Sequence, residues 1–169
     1  MNFTLKTIQC DITQIPADAI VNAANKTLSA GGGVDGAIHH VAGPKLMEEC
    51  LTLGGCETGE AKFTKAYNLL AKYVIHTVGP IYGQENGKED ELLANCYRNS
   101  LKLANELKVE TITFPCISTG VFRFSSDLSA RIAIKTVREY LHNNKTTIIE
   151  VIFVTYRDEE TQLYQELLG

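Results

Sequence analysis

Two small-residue loops carry the residues whose types and spacing can do chemistry. The first runs through Val21-Asn22-Ala23-Ala24-Asn25 to Gly31-Gly32-Gly33-Val34-Asp35-Gly36, and the second is Pro115-Cys116-Ile117-Ser118-Thr119-Gly120-Val121. Each follows a strand-like run and leads towards a helix. Such a turn aims backbone N–H groups and the positive end of a helix at an anion, with no lysine required. Two of them in one small chain indicate a ligand with more than one phosphate.

The segment Gly31–Gly36 formally satisfies the dinucleotide fingerprint G-x-G-x-x-G, but its first glycine comes about nine residues after Val21 instead of directly after the strand. A nicotinamide oxidoreductase is therefore disfavoured. No lysine follows a glycine in the manner of a phosphate-binding Walker loop, so triphosphate hydrolysis is unsupported. Asp11 follows the first strand-like run, where its carboxylate can accept from an exocyclic amine or cap a turn. Tyr156 follows the last run and can stack on a base or close the edge of the core. Asn22 and Asn25 stand where amides can hold hydroxyls and water, though asparagine also suits a loop for its own backbone.

No nucleophilic triad is visible. Cys116 has no base beside it. His39 and His40 adjoin on a short helix and so diverge, and His76 lies in a strand-like run. The five cysteines (Cys10, Cys50, Cys56, Cys96 and Cys116) are odd in number, with no C-x-x-C pair. Neither a disulfide framework nor a metal site is signalled, no cofactor is expected, and free thiols in a reducing cytoplasm are the reading.

These residues need elements to position them. Strand-like runs lie at 5–9, 19–21, 61–65, 73–76, 111–114 and 148–154, rich in Ile, Val, Thr or aromatics. Helical spacing appears in Leu93, Tyr97, Leu101 and Ala104, in Leu128, Ile132, Val137 and Leu141, and in Leu163 and Leu167. Ser126-Asp127 and Asp158-Glu159-Glu160 put acidic charge at helix starts, and 83–90 reads as an exposed loop. Alternating strands and helices give an α/β class, a mixed sheet with helices on both faces and the ligand site at the carboxyl ends of the strands.

The chain has 169 residues, 44% hydrophobic and 21% charged, enough for one domain with a proper core over residues 1–169. A net charge of −4 and the absence of a basic tract disfavour nucleic acid as a partner. The first residues lack the apolar core of a signal peptide, and no apolar stretch reaches membrane-spanning length, so a cytoplasmic protein without a membrane partner is expected. A monomer is the default expectation.

In order, the strings DIT, ADAIVNAAN, GGGVDGAIH, TGEA, YVIHTVGP, FPCISTGV and FVTYRDEE resemble a macrodomain across nearly the whole chain. In detail they are similar to the MacroD-type branch that includes bacterial O-acetyl-ADP-ribose deacetylases. The resemblance implies a three-layer α/β/α fold and ADP-ribose as ligand. It implies that Asp11 and the Ile12 N–H meet the adenine and that Tyr156 flanks it. Gly33, Val34 and Gly36 would line one side of the diphosphate, with Ser118, Thr119, Gly120, Val121 and Phe122 on the other. Asn22, Asn25 and Asp35 would belong to the same pocket, Asn25 and Asp35 at the distal ribose.

The implied reaction is ester hydrolysis at that ribose, on O-acetyl-ADP-ribose or on mono-ADP-ribosylated acidic side chains of proteins. Water would attack directly, with Asp35 orienting or deprotonating it and Asn25 fixing the ribose hydroxyls. A carboxylate is a weak base at neutral pH, which favours positioning. Two rival readings are a noncatalytic ADP-ribose reader and an RNA-associated regulator of ribonuclease activity. Presence of both Asn25 and Asp35 beside the glycine loop argues for turnover. The chain departs from its branch at Cys10, where relatives often carry glycine, and at Phe122-Arg123-Phe124-Ser125, where they often read Tyr-Gly-Tyr-Pro. Ring stacking is expected to persist there, and the compact segment 51–58 removes rim contacts.

Overall fold

The computed structural model describes residues 2–169. Among them, six strands alternate with helices in the order β1 (Thr4–Gln9), a 3-10 turn (Ile12–Gln14), β2 (Ala19–Ala23), α1 (Gly33–Ala42), α2 (Pro44–Leu51), β3 (Ala61–Lys65) and β4 (Tyr73–Thr77). There follow α3 (Glu89–Glu106), β5 (Thr111–Phe114), α4 (Ser126–Asn143), β6 (Glu150–Thr155) and α5 (Asp158–Leu168). The strands form one sheet in the order β1-β6-β5-β2-β4-β3. All neighbours pair in parallel except β3, which runs antiparallel to β4 at the edge.

Strand pleating sends alternate residues to opposite faces, and the sequence supplies apolar residues to both. Ala19, Val21, Ile112, Phe114, Val151 and Phe153 join the core under α3, α4 and α5. Ile20, Val74, Ile152 and Val154 join a second core with Ile38 of α1 and Leu46 and Cys50 of α2. The result is the expected three-layer α/β/α arrangement.

The six strands fall on the six strand-like runs. The last is shifted, because Ile148 and Ile149 belong to the approach before Glu150. The helix starting at Ser126 is capped one residue earlier, by the Ser125 hydroxyl accepting from Leu128 N–H at 3.1 Å. Glu89 and Asp90, expected in a loop, open α3 and place their charge at its positive end. Helix α2 has no counterpart in the sequence reading. It is eight residues long and buries only Leu46 and Cys50, too few for a periodic signal.

Five strands run parallel, so their carboxyl ends lie at one end of the molecule. β2 and β5 are neighbours, and the chain departs from them in opposite directions along the sheet. A crevice opens where neighbouring connections diverge in this way. The first glycine loop leaves β2 and the second loop leaves β5, so both border that crevice.

Candidate functional site

The crevice is a cleft of about 900 Å³ outside the carboxyl ends of the parallel strands. One wall is the N-terminus of α1. The first helical hydrogen bond there is Gly36 N–H to Gly32 O at 3.1 Å, so the N–H groups of Gly33, Val34 and Asp35 have no acceptor within the helix. The facing wall is the second loop. It closes on itself through Phe124 N–H to Ser118 O at 2.9 Å and Arg123 N–H to Gly120 O at 3.0 Å. Among the described residues, the N–H groups of Thr119, Gly120, Val121 and Phe122 find no acceptor in the chain. Two rows of free donors thus face one cleft. The only cation lining it among the described residues is Arg157, already paired with Glu159 at 3.0 Å and Glu160 at 3.1 Å. An anion held between the walls is held by backbone dipoles.

At one end the cleft is lined by Asp11 and Ile12, which follow β1, and by Tyr156, which follows the neighbouring β6 and is 82% exposed. Asp11 is both things its position allowed. Its Oδ1 caps the 3-10 turn, accepting from Thr13 N–H at 2.9 Å and Thr13 Oγ1 at 2.8 Å. Its other carboxylate oxygen and the Ile12 N–H stay unpaired among the described residues, an acceptor beside a donor next to an exposed ring.

At the other end stand Asn25 and Asp35. The Asn25 amide is woven into its own loop: Oδ1 accepts from Thr27 Oγ1 at 2.9 Å and Ser29 N–H at 3.1 Å, and Nδ2 donates to Ser29 O at 2.8 Å. One amide hydrogen remains for a ligand. Asp35, 5% exposed, accepts from Asn22 Nδ2 at 2.7 Å on Oδ1 and from Gly31 N–H at 2.7 Å on Oδ2. Each carboxylate oxygen keeps a second lone pair for a water or a hydroxyl.

Two expected residues do not line the cleft. Asn22 is fully buried behind Asp35. Gly36 lies under the glycine loop, where an added Cβ would sit 2.5 Å from Gly31 O. Gly33, Val34, Asp35, Asn25, Asp11, Ile12, Ser118 to Phe122 and Tyr156 all line it. Of the two phenylalanines that mark the departure in the second loop, Phe122 keeps a face on the cleft. Phe124 turns inward, 3% exposed, with its ring edge-on to Tyr82 at 5.1 Å. Phe124 therefore anchors the loop and stacks on no ligand.

A model of the Macro domain family matches residues 21–133, two thirds of the chain and the whole span of both loops. The chain belongs to the macrodomain family. A macro domain-containing protein of Chlorobaculum tepidum is 55% identical over 168 residues, covering 99% of this macrodomain and 97% of its own length. The ADP-ribose glycohydrolase MACROD2 of Homo sapiens is 50% identical over 160 residues; the match covers 94% of this chain and 38% of that relative. Among solved structures, the Oceanobacillus iheyensis macrodomain with ADP superposes with a TM-score of 0.89 at 41% identity, covering 96% of this chain and 88% of its own. The Trypanosoma brucei macrodomain in complex with ADP-ribose does so with a TM-score of 0.91 at 41% identity, covering 98% and 69%.

Two contacts of this macrodomain escaped the sequence reading. His39 places Nε2 3.5 Å from Asp35 Oδ1, and the i, i+4 spacing on a helix was the signal that would have found it. Glu160, 4% exposed, accepts from Thr119 Oγ1 at 3.0 Å and from Arg157, tying α5 to the second loop. Burial opposes its charge, but hydrogen bonds from Arg157 and Thr119 outweigh that and hold the carboxyl below its usual range. The same surroundings act oppositely on Cys116: burial first, then the charge of Glu160, push its thiol far up. It stays a neutral, packed thiol and no nucleophile.

Proposed function

We propose that this macrodomain binds ADP-ribose and hydrolyses esters carried on the distal ribose, namely O-acetyl-ADP-ribose and mono-ADP-ribose linked to acidic protein side chains. The observation that carries the reading is the Asp35 carboxylate, buried yet open to the cleft, oriented by two hydrogen bonds of 2.7 Å beside the free donors of α1. The names of the similar relatives and the nucleotides bound in similar structures support it.

The diphosphate spans the donors of α1 and the second loop, and the adenine meets Asp11, Ile12 and Tyr156. This leaves the distal ribose beside Asn25 and Asp35. Asn25 donates its spare amide hydrogen to a ribose hydroxyl. Asp35 accepts from a water and aims its oxygen at the ester carbonyl carbon. The new carbon–oxygen bond forms as the bond to the ribose oxygen breaks. The water proton passes to that ribose oxygen, giving ADP-ribose and the free carboxylic acid, with no covalent enzyme intermediate.

One observation favours the reader alternative: both Asp35 oxygens serve the fold, so a noncatalytic module would also have reason to keep this residue. Single-turnover hydrolysis of O-acetyl-ADP-ribose and of an ADP-ribosylated glutamate protein separates the two. Turnover by wild type, abolished in Asp35→Ala while ADP-ribose still binds, is the expected result. Binding with no turnover of either ester would leave the reader.

A further inference from the structure

Behind Asp35 the sheet carries a hydrogen-bonded row of buried polar side chains on a face that, apart from Thr113 and Lys62, is apolar. Asn22 of β2 and His76 of β4 are register partners, and Thr64 stands on the adjoining β3. All three are 0% exposed, and none lines the cleft. Ile20 and Val74, two residues earlier on their strands, belong to the apolar core of the same face. A face that only needed filling would carry valine or leucine here, because burying polar groups costs free energy unless each is paired.

The pairing runs in one direction. The Asn22 amide nitrogen lies 2.7 Å from Asp35 Oδ1 and 3.1 Å from His76 Nδ1. Its two hydrogens serve both, which requires a bare lone pair on Nδ1 and places the ring proton on Nε2. That N–H points at Thr64 Oγ1, 3.0 Å away, with Cys50 Sγ at 3.8 Å. Turning the amide over would set Asn22 Oδ1 against the carboxylate. Asn22 Oδ1 has no partner among the described residues, so the amide is held by its nitrogen side alone. With the ring proton on Nδ1, Asn22 could not donate to both neighbours: its amide would either oppose the ring N–H or turn its oxygen to it and give up the hydrogen bond to Asp35 Oδ1.

We propose that His76, acting through Asn22, is a positioning residue that sets the Asp35 carboxylate for reaction at the distal ribose. The proposal rests on the hydrolase reading above. His76 never reaches substrate; its neutral ring dictates which way the Asn22 amide faces, and the amide fixes Oδ1 of Asp35 while the Gly31 N–H holds Oδ2. Asparagine at this position offers an acceptor in place of Nδ1, whereas glutamine reaches towards the place of Nε2 and leaves Asn22 without its acceptor.

The test begins with the wild-type protein. Nitrogen-15 NMR of the histidine rings near neutral pH is expected to find His76 neutral with the proton on Nε2; a proton on Nδ1 would overturn the proposal. Single-turnover hydrolysis of O-acetyl-ADP-ribose then compares wild type with His76→Gln and His76→Asn, with thermal midpoints and ADP-ribose affinity measured alongside. His76→Gln is expected to slow the chemical step roughly 10- to 100-fold through misplacement of the carboxylate, with ADP-ribose affinity kept within about 3-fold. His76→Asn should recover most of that rate. An unchanged rate in folded His76→Gln, an equal loss in both variants, or affinity falling as far as rate would each overturn the positioning role. If His76→Gln does not fold, the ring tautomer and the rate of His76→Asn decide. Wild type without turnover would instead overturn the hydrolase reading, and with it the catalytic meaning of His76.

Discussion

The N–H of Gly31 donates to Asp35 Oδ2 at 2.7 Å, so the carboxylate proposed to act on water also fastens the glycine loop that borders it. Chemistry and loop geometry are therefore coupled through one side chain. Asp35→Ala removes both roles. Turnover should fall at least about 100-fold, the usual scale for a positioned acid or base. ADP-ribose affinity should fall roughly 3- to 10-fold from the loosened loop, the worth of about one hydrogen bond. Calorimetric titration with ADP-ribose checks the second part, and unchanged affinity would show that the clasp contributes nothing to binding.

Gly36 and Gly32 lie in the same loop-to-helix junction and should respond oppositely to a methyl group. At Gly36 the added Cβ sits 2.5 Å from the Gly31 carbonyl oxygen, while at Gly32 nothing lies within 4 Å. Gly36→Ala should cost about 2 to 3 kcal/mol by overpacking against backbone and should weaken ADP-ribose binding as the loop moves. Gly32→Ala should cost no more than about 1 kcal/mol, the scale of an alanine at a helix N-cap. Denaturant midpoints of the two variants decide.

Asp11 divides its oxygens between the turn it caps and the cleft, and Asp11→Asn can separate them. The asparagine oxygen can keep accepting from Thr13, while its amide nitrogen replaces the free acceptor facing the cleft. Stability should change little, and ADP-ribose affinity should drop at least about 10-fold, because a donor then opposes the adenine amino group. Retained affinity would remove Asp11 from adenine recognition.

Tyr156 is 82% exposed, so its ring does almost nothing for the fold. Tyr156→Ala should leave the thermal midpoint in place while weakening ADP-ribose binding roughly 3- to 10-fold, the range of one aromatic stacking contact. A variant that binds as tightly as wild type would show that the adenine does not stack there.

Burial, reinforced by the nearby charge of His39, lowers the His76 imidazole from 6.5 to about 3. As pH falls through 6.5 the unfolded chain takes a proton that the folded chain refuses until about 3. The folded state is thus unpenalised above that window and loses stability through it, by up to about 1.4 kcal/mol per pH unit. Urea midpoints at pH 7 and pH 5 should show this loss in wild type and a smaller one in His76→Asn. Equal losses would mean that the ring titrates freely in the fold.

How much could be read in advance differed with the range of the interaction. The runs at 61–65 and 111–114 were legible because a strand shows itself in four or five consecutive residues, and β3 and β5 fall on them without a shift. Helix α2 was not, since its two buried residues make no periodic pattern. In the second loop, Phe122 and Phe124 look equivalent as a sequence; only the 3% exposure of Phe124 against Tyr82 reveals that one ring faces the cleft and the other holds the loop down.

The sequence by itself determined the alternation of strands and helices, the two glycine-bearing turns and the family, because these depend on neighbours within a few residues or on motifs kept in order. The tertiary structure decided which polar residues line the cleft and which pair with one another. Asn25 borders the cleft, whereas Asn22, three residues earlier, is sealed behind it between Asp35 and His76. That difference comes from the pairing of β2 with β4, which brings side chains 54 positions apart to 3.1 Å. Strand order is settled by packing of the whole sheet, and no short stretch of sequence contains it.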